Sequence, residues 1–225
     1  MATLTRRQIS ETLDPLGWRL IHGAALAHVA VASLAAAAEA AAVAVTAAGT
    51  GGNGHLSVEL HSDRLLLRLQ SAVTGTVSEA DLHLAQTVTE ALGRRSLVTS
   101  PGDAAAAPQS MEIAIDALDI PLVQPFWRAV TGYVDEPGAP EPDAALIDPL
   151  GRGPEIWFQQ MDAPRVQRNR IHLDVTVAPE LAQPRIDAAL AAGGTLLSAA
   201  RAPAFWVLAD AEGNEVCVCT WQGRD

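Results

Sequence analysis

A chain of 225 residues, 49% of them hydrophobic, can bury one large core or two smaller ones. Its formal net charge of −11 excludes a basic surface for nucleic acid. All 15 basic residues are arginine, which excludes chemistry that needs a lysine amine, such as a Schiff base.

The opening residues, MATLTRRQISETLDPLGW, are polar and show no signal-peptide pattern, so a cytoplasmic setting is expected. Within them RRQISETL reads as a short helix, and GWRLIHGAALAHV holds one or two strands. ASLAAAAEAAAVAV has strong helix propensity. The wider stretch 24–48 is long enough to span a bilayer, but it is mostly alanine and carries His28 and Glu39. A helix packed on a sheet is therefore expected, with no membrane partner. HLSVELHSDRLLLRLQ alternates, with Leu56, Val58 and Leu60 on one face and Leu65, Leu67 and Leu69 after the turn, which is a hairpin pattern. TVSEADLHLAQTVTEAL opens with Ser78 three residues before Asp81, a capping signal for a helix.

The order α, β, β, α, β, β, α resembles the pterin-4a-carbinolamine dehydratase family, best over residues 54–92. The acidic residue that opens the family's last helix matches Asp81. The family's His-His-Pro motif reads Gly54, His55, Leu56 here, and its later histidine position falls on Ala72. One of three histidines survives. The resemblance thus implies the fold without the activity, since the reaction needs a proton donor and acceptor around the substrate. Residual dehydratase turnover and a role in dimerisation stay as alternatives.

Residues 93–110 have no apolar period and read as a linker. The division expected is 1–95 for a dehydratase-like α/β sandwich, 96–110 for the linker and 111–225 for a second α+β domain.

In that second part MEIAIDAL (111–118) and NRIHLDVT (169–176) align as strand starts, with Asp116 matched to Asp174. Each precedes a helix and then strands ending in a similar hairpin, where Asp148 matches Asp210 and Gly153 matches Gly213. Two βαβββ modules forming a cup-shaped sheet are expected. FWRAVTGY, RNRIHLDV and FWVLADAEGNEVCVCTW resemble the vicinal oxygen chelate superfamily, in its glyoxalase-like and bleomycin-resistance-like branch, over about residues 110–222.

That resemblance implies ligand positions in the first and last strands of each module. On the Asp116–Asp174 alignment the first-strand positions are Ala114 and His172; the last-strand positions, four residues past the turn glycines, are Trp157 and Cys217, with Glu215 displaced by two residues and Gln159 placed similarly in the first. The metal candidates are His172 and Glu215. A divalent metal is compatible with the resemblance, but this ligand set is incomplete. The ligand-binding candidates are Trp157, His172, Cys217 and Gln159. Trp157 is left between pocket and core, whereas Trp127, on a helix, is expected in the core. Cys217 and Cys219 lie two apart on one strand and are poorly placed to bond each other. The reading is a small-molecule-binding protein of unnamed substrate. An active form would be a lyase or dioxygenase, and the alternative is metal-free sequestration of the resistance type. A homodimer is left open as the assembly.

Overall fold

The computed structural model describes residues 4–102, 107–139, 144–164, 171, 173–220 and 222–223. They form two compact units that meet at Ser110 and Met111.

The first unit holds α1 (Arg6–Leu13), β1 (Arg19–Ile21), β2 (Ala24–Ala30), α2 (Leu34–Ala48), β3 (Leu56–Leu60), β4 (Arg64–Leu69), α3 (Glu79–Gly93) and β5 (Thr99–Ser100). Its antiparallel sheet runs β1-β2-β4-β3, and β5 adds to β2. The hairpin pairs Leu56 with Leu69, Val58 with Leu67 and Leu60 with Leu65, so the alternating leucines share one face. Leu65, Leu67 and Leu69 are fully buried there with Ala25, Ala27 and Val29. The helices cover that face: Ile9 and Leu13 from α1, Ala40 and Ala44 from α2, and Leu84, Val88 and Leu92 from α3 complete the core.

The Ala-rich helix starts where Ser33 accepts a hydrogen bond from the Ala36 N–H (3.1 Å). Leu34–Gly52 is the one helical stretch among the described residues long and apolar enough to cross a membrane. Its Ala37, Ala40, Ala44 and Ala48 are nevertheless buried in the unit. Residues 99–100, expected inside the linker, instead belong to the sheet. Thr99 is buried, and its hydroxyl donates to the Leu16 carbonyl (2.7 Å), which fastens the strand to the turn before β1.

The second unit contains β6 (Glu112–Ala117), α4 (Ile120–Thr131), β7 (Val134–Asp135), β8 (Leu146–Ile147) and β9 (Glu155–Gln160), then β10 (Asp174–Thr176), α5 (Pro179–Ala191), β11 (Thr195–Arg201), β12 (Phe205–Ala209) and β13 (Glu215–Cys219). The sheets run β6-β9-β8-β7 and β10-β13-β12-β11, the same order twice. In each, the first strand lies parallel to the last while the other pairs are antiparallel. These are two βαβββ modules. Among the described residues no strand of one sheet is hydrogen-bonded to a strand of the other.

One apolar core underlies both modules. Val123, Phe126 and Trp127 of α4 meet Ile186 and Ala189 of α5, above Ile115 and Ile156 of one sheet and Leu208, Val216 and Val218 of the other. Gly194, just after α5, allows the close approach, since a Cβ there would lie 2.3 Å from the Phe126 ring. The modules are also tied by polar groups. Asp210, nearly buried, accepts from the Trp127 indole N–H (3.0 Å) and from the N–H groups of Glu212 (3.0 Å) and Asn214 (2.9 Å). The Glu212 carboxylate receives the Leu118 N–H (2.8 Å) and the Asp119 N–H (2.7 Å), two of the donors at the start of α4.

The repeat register differs from the expected one. Ala114 pairs with Trp157 in the first module, and Asp174 pairs with Cys217 in the second. Ile113, Ile115 and Ala117 face the core as Leu173, Val175 and Val177 do. With the turn glycines Gly153 and Gly213 as the common point, the modules match sixty residues apart in both their first and last strands. Asp174 answers to Ala114, and Asp116 answers to Thr176. The sequence alignment of the two aspartates was two residues out, a shift that alternation cannot detect because it leaves every side chain on its original face.

Candidate functional site

In each module the strands present alternate residues to the helices and the rest to the opposite face. In the first module that opposite face carries Glu112, Ala114 and Asp116 from β6, beside Glu155, Trp157 and Gln159 from β9. Trp157 remains 37% exposed, so it is not a core residue; its cross-strand partner Ala114 is too small to cover it. Trp127, by contrast, is 1% exposed and packs edge-on against Phe126. Glu112 pairs with Glu155 in register, with carboxylate oxygens within 4.8 Å of each other.

The second module places Asp174 and Thr176 beside Cys217 and Cys219, with Glu215 further back on the same strand face. Phe205, Val207 and Ala209 of β12 extend this face. Here the strand residues are covered: Cys217 is 5% exposed and Cys219 1%. Burial, then the charge of Asp174 and the hydrogen bond the thiol gives it, push Cys217 up to about 11. Cys219 and Glu215 add to the rise. At neutral pH Cys217 is thus a protonated thiol, which is neither a nucleophile nor a ready metal ligand.

His172 and Trp221 lie outside the described residues. The sixty-residue register, carried along the sequence, makes Glu112 rather than Ala114 the counterpart of His172, and Glu155 that of Glu215. Glu112 was missed because the aspartates were aligned 58 residues apart, and Glu155 because the last-strand position was counted four residues past Gly153. The signal was available in the spacing, since the same number of residues separates Glu112 from Glu155 and His172 from Glu215.

The hairpin turns of the modules also differ. Asp148 accepts the N–H groups of Leu150 (2.9 Å), Arg152 (3.0 Å) and Gly153 (2.9 Å). Burial alone would raise this carboxyl, but those three bonds and the Arg152 charge hold it below the usual range. Tyr133 packs against this turn, and burial with the Asp148 charge raises its phenol. Asp148 closes its own turn, whereas Asp210 reaches a helix of the other module.

The first unit has a polar centre of its own. Asp81 is fully buried at the start of α3 and accepts from His55 Nδ1 (2.8 Å), the Ser78 N–H (2.7 Å) and the Ser78 hydroxyl (2.6 Å). The hydrogen bond between His55 Nδ1 and the Asp81 carboxyl fixes the orientation of the ring. His55 is therefore an oriented residue rather than a plain strand-edge one. The Ala72 N–H bonds the Gly54 carbonyl (2.8 Å), next to His55 in the chain. At the other end of α3 a cavity of about 370 Å³ is lined by Pro15, Leu16, Thr89, Leu97 and Val98.

Residues 112–219 match the family model of a glyoxalase-like domain. Among solved structures, the chain is similar to a glyoxalase/bleomycin resistance protein/dioxygenase family enzyme from Burkholderia phytofirmans PsJN. They share 22% identity with a TM-score of 0.40, over 48% of this chain and 95% of that one. It is also similar to a glyoxalase/bleomycin resistance protein from Albidiferax ferrireducens T118, with 18% identity, a TM-score of 0.39, and coverage of 48% and 95%. A genomically encoded fosfomycin resistance protein from Listeria monocytogenes follows at 11% identity and a TM-score of 0.39, with 51% of this chain and 91% of that one covered. No curated protein matches the chain.

Proposed function

We propose that residues 111–225 bind a small organic molecule on the sheet faces turned away from α4 and α5, which together form a cup. The exposed Trp157 beside Ala114, with Glu112, Glu155 and Gln159 around it, carries this reading. An aromatic wall with a few placed polar groups is the usual make-up of a ligand site. The glyoxalase-like match over residues 112–219 supports it. In this reading Cys217 contributes a neutral thiol to the cup wall, and the protein works in a reducing cytoplasm.

Lyase or dioxygenase chemistry in such a cup would call on a divalent metal. Two oxygen donors that could hold one, Glu112 and Glu155, approach closely, and Glu215 and His172 are their counterparts in the second module by sequence register. Carboxylate oxygens with one imidazole suit Mn or Fe(II). A bound ion would polarise a substrate oxygen, while Trp157 and Gln159 hold the rest of the molecule in place. Without a metal the same cup would sequester its ligand.

Equilibrium dialysis of the full chain against Mn(II), followed by elemental analysis, tests the metal. About one equivalent is expected, falling severalfold in Glu155→Gln and Glu215→Gln. No uptake by the native chain would leave sequestration as the function.

A second reading is favoured by the His55–Asp81 pair, which orients an imidazole as a proton carrier in the first unit. In this reading a degenerate dehydratase-like domain keeps residual turnover of a pterin carbinolamine. The same preparation can be assayed for that turnover, and activity indifferent to His55→Ala would count against this reading.

A further inference from the structure

We propose that the open cavity at the C-terminal end of α3 binds a small aliphatic zwitterion, an α-amino acid of the leucine class. The site lies wholly in the first unit, at the opposite end of α3 from Asp81. Its walls are apolar, formed by Pro15, Leu16, Leu97, Val98 and Pro101, and its volume of about 370 Å³ suits a ligand of that size. Val98 is 74% exposed, a large apolar group turned outward, while Leu97 beside it packs on the core. Both follow Ser96, which ends α3 in the left-handed region (φ 59°) where glycine is the usual residue. The Leu97 N–H returns to the Leu92 carbonyl (3.1 Å) and holds that turn.

Two charged residues line the cavity, Asp14 and Arg19, and their signs are opposite. Arg19 Nη1 donates to the Trp18 carbonyl (2.8 Å) but reaches Asp14 Oδ1 only at 3.4 Å. Among the described residues all its bonds run from Nη1, so the Nε–Nη2 edge is left as a fork for a carboxylate. Asp14 Oδ2 accepts from no described residue and can take an ammonium N–H. The two side chains are 40% and 51% exposed, so their loose mutual pairing is easily exchanged for contacts with a ligand. The neighbouring polar groups are already engaged. The Thr89 hydroxyl accepts from the Trp18 indole N–H (2.9 Å), and the Thr99 hydroxyl donates to the Leu16 carbonyl (2.7 Å). Recognition of charge therefore falls to Asp14 and Arg19.

A ligand with a single charge meets one attraction and one repulsion at this pair. A zwitterion satisfies both, its carboxylate on the Arg19 fork and its ammonium on Asp14, and brings no net charge to the site. A branched aliphatic side chain then covers the exposed Val98 and the apolar walls around it.

Ligand-observed NMR on the full chain compares L-leucine with 4-methylpentanoate, which lacks the amine, and 3-methylbutan-1-amine, which lacks the carboxylate. Leucine is expected to bind on the order of tenfold more tightly than either. Arg19→Gln should bring leucine down to the level of the amine, and Asp14→Asn should bring it down to that of the carboxylate. Arg19→Lys should keep part of the preference. Both side chains are partly exposed, so thermal unfolding of these variants should match the native chain. Equal binding of the three compounds, tighter binding of a single-charge analogue, or a leucine preference unchanged in Arg19→Gln and Asp14→Asn overturns the inference. Binding of none of the three by the native chain removes the site, whatever the cup of the second unit binds.

Discussion

The two modules of the second unit share strand order, register and core, yet their outer faces diverge. The first leaves Trp157 open beside Ala114, while the second buries Cys217 and Cys219 and ties the thiol of Cys217 to Asp174. The core-facing residues match position by position, with Ile113, Ile115 and Ala117 answered by Leu173, Val175 and Val177. A repeat keeps what the shared core needs, and the opposite face is where its copies are free to differ. The first module's face is therefore the better place to look for a ligand, and the second's reads as a supporting wall.

The largest test of that contrast sets the two tryptophans against each other. Trp127→Ala should cost about 3–5 kcal/mol of stability, because it empties the shared core and strips Asp210 of its indole partner. Trp157→Ala should stay within about 0.5 kcal/mol. Urea unfolding of both variants measures this; a comparable loss in Trp157→Ala would mean that Trp157 is core after all.

A smaller difference is expected between the turn aspartates. Asp210→Ala removes a nearly buried acceptor that serves its own turn and α4, and should cost about 2–3 kcal/mol. Asp148→Ala opens only a more exposed turn, at about 1 kcal/mol. Equal losses by thermal unfolding would show that the link between modules adds nothing.

The smallest effect is in pH. The fold raises the Cys217 pKa, so it favours the protonated thiol. The stability this gives is fully present below the unfolded value of 9.0 and is lost as pH rises through about 11. Cys217→Ser keeps a hydroxyl donor for Asp174 and should flatten the fall in stability between those values. In the native chain, thiol labelling of Cys217 at pH 8 should run about 100-fold slower than for an unperturbed cysteine. Labelling at the ordinary rate would show that this face is open.

Much of the architecture was legible in the sequence. The alternating leucines of the first hairpin, the Ser78–Asp81 cap and the doubled strand-helix pattern each follow from local periodicity. The site was less legible. Alternation tells which face a residue occupies but not its place along the strand, so Asp116 and Asp174 looked equivalent and Glu112 went unread, while a count from Gly153 passed over Glu155. The covering of Cys217 and the exposure of Trp157 depend on what packs across the sheet, which no local pattern records. Likewise, nothing near Thr99 announces the distant Leu16 carbonyl that draws it out of the linker.

The carboxylate of Glu212 reaches back 94 residues to the start of α4. The chain emerges from the ribosome N-terminus first, so the first module must wait, with those two N–H groups held only by water, until nearly all of the second has been synthesised. The last hairpin to appear is thus the latch on the oldest helix of the pair. The slow step in assembling this unit is expected to be the docking of its final turn, whichever module collapses first.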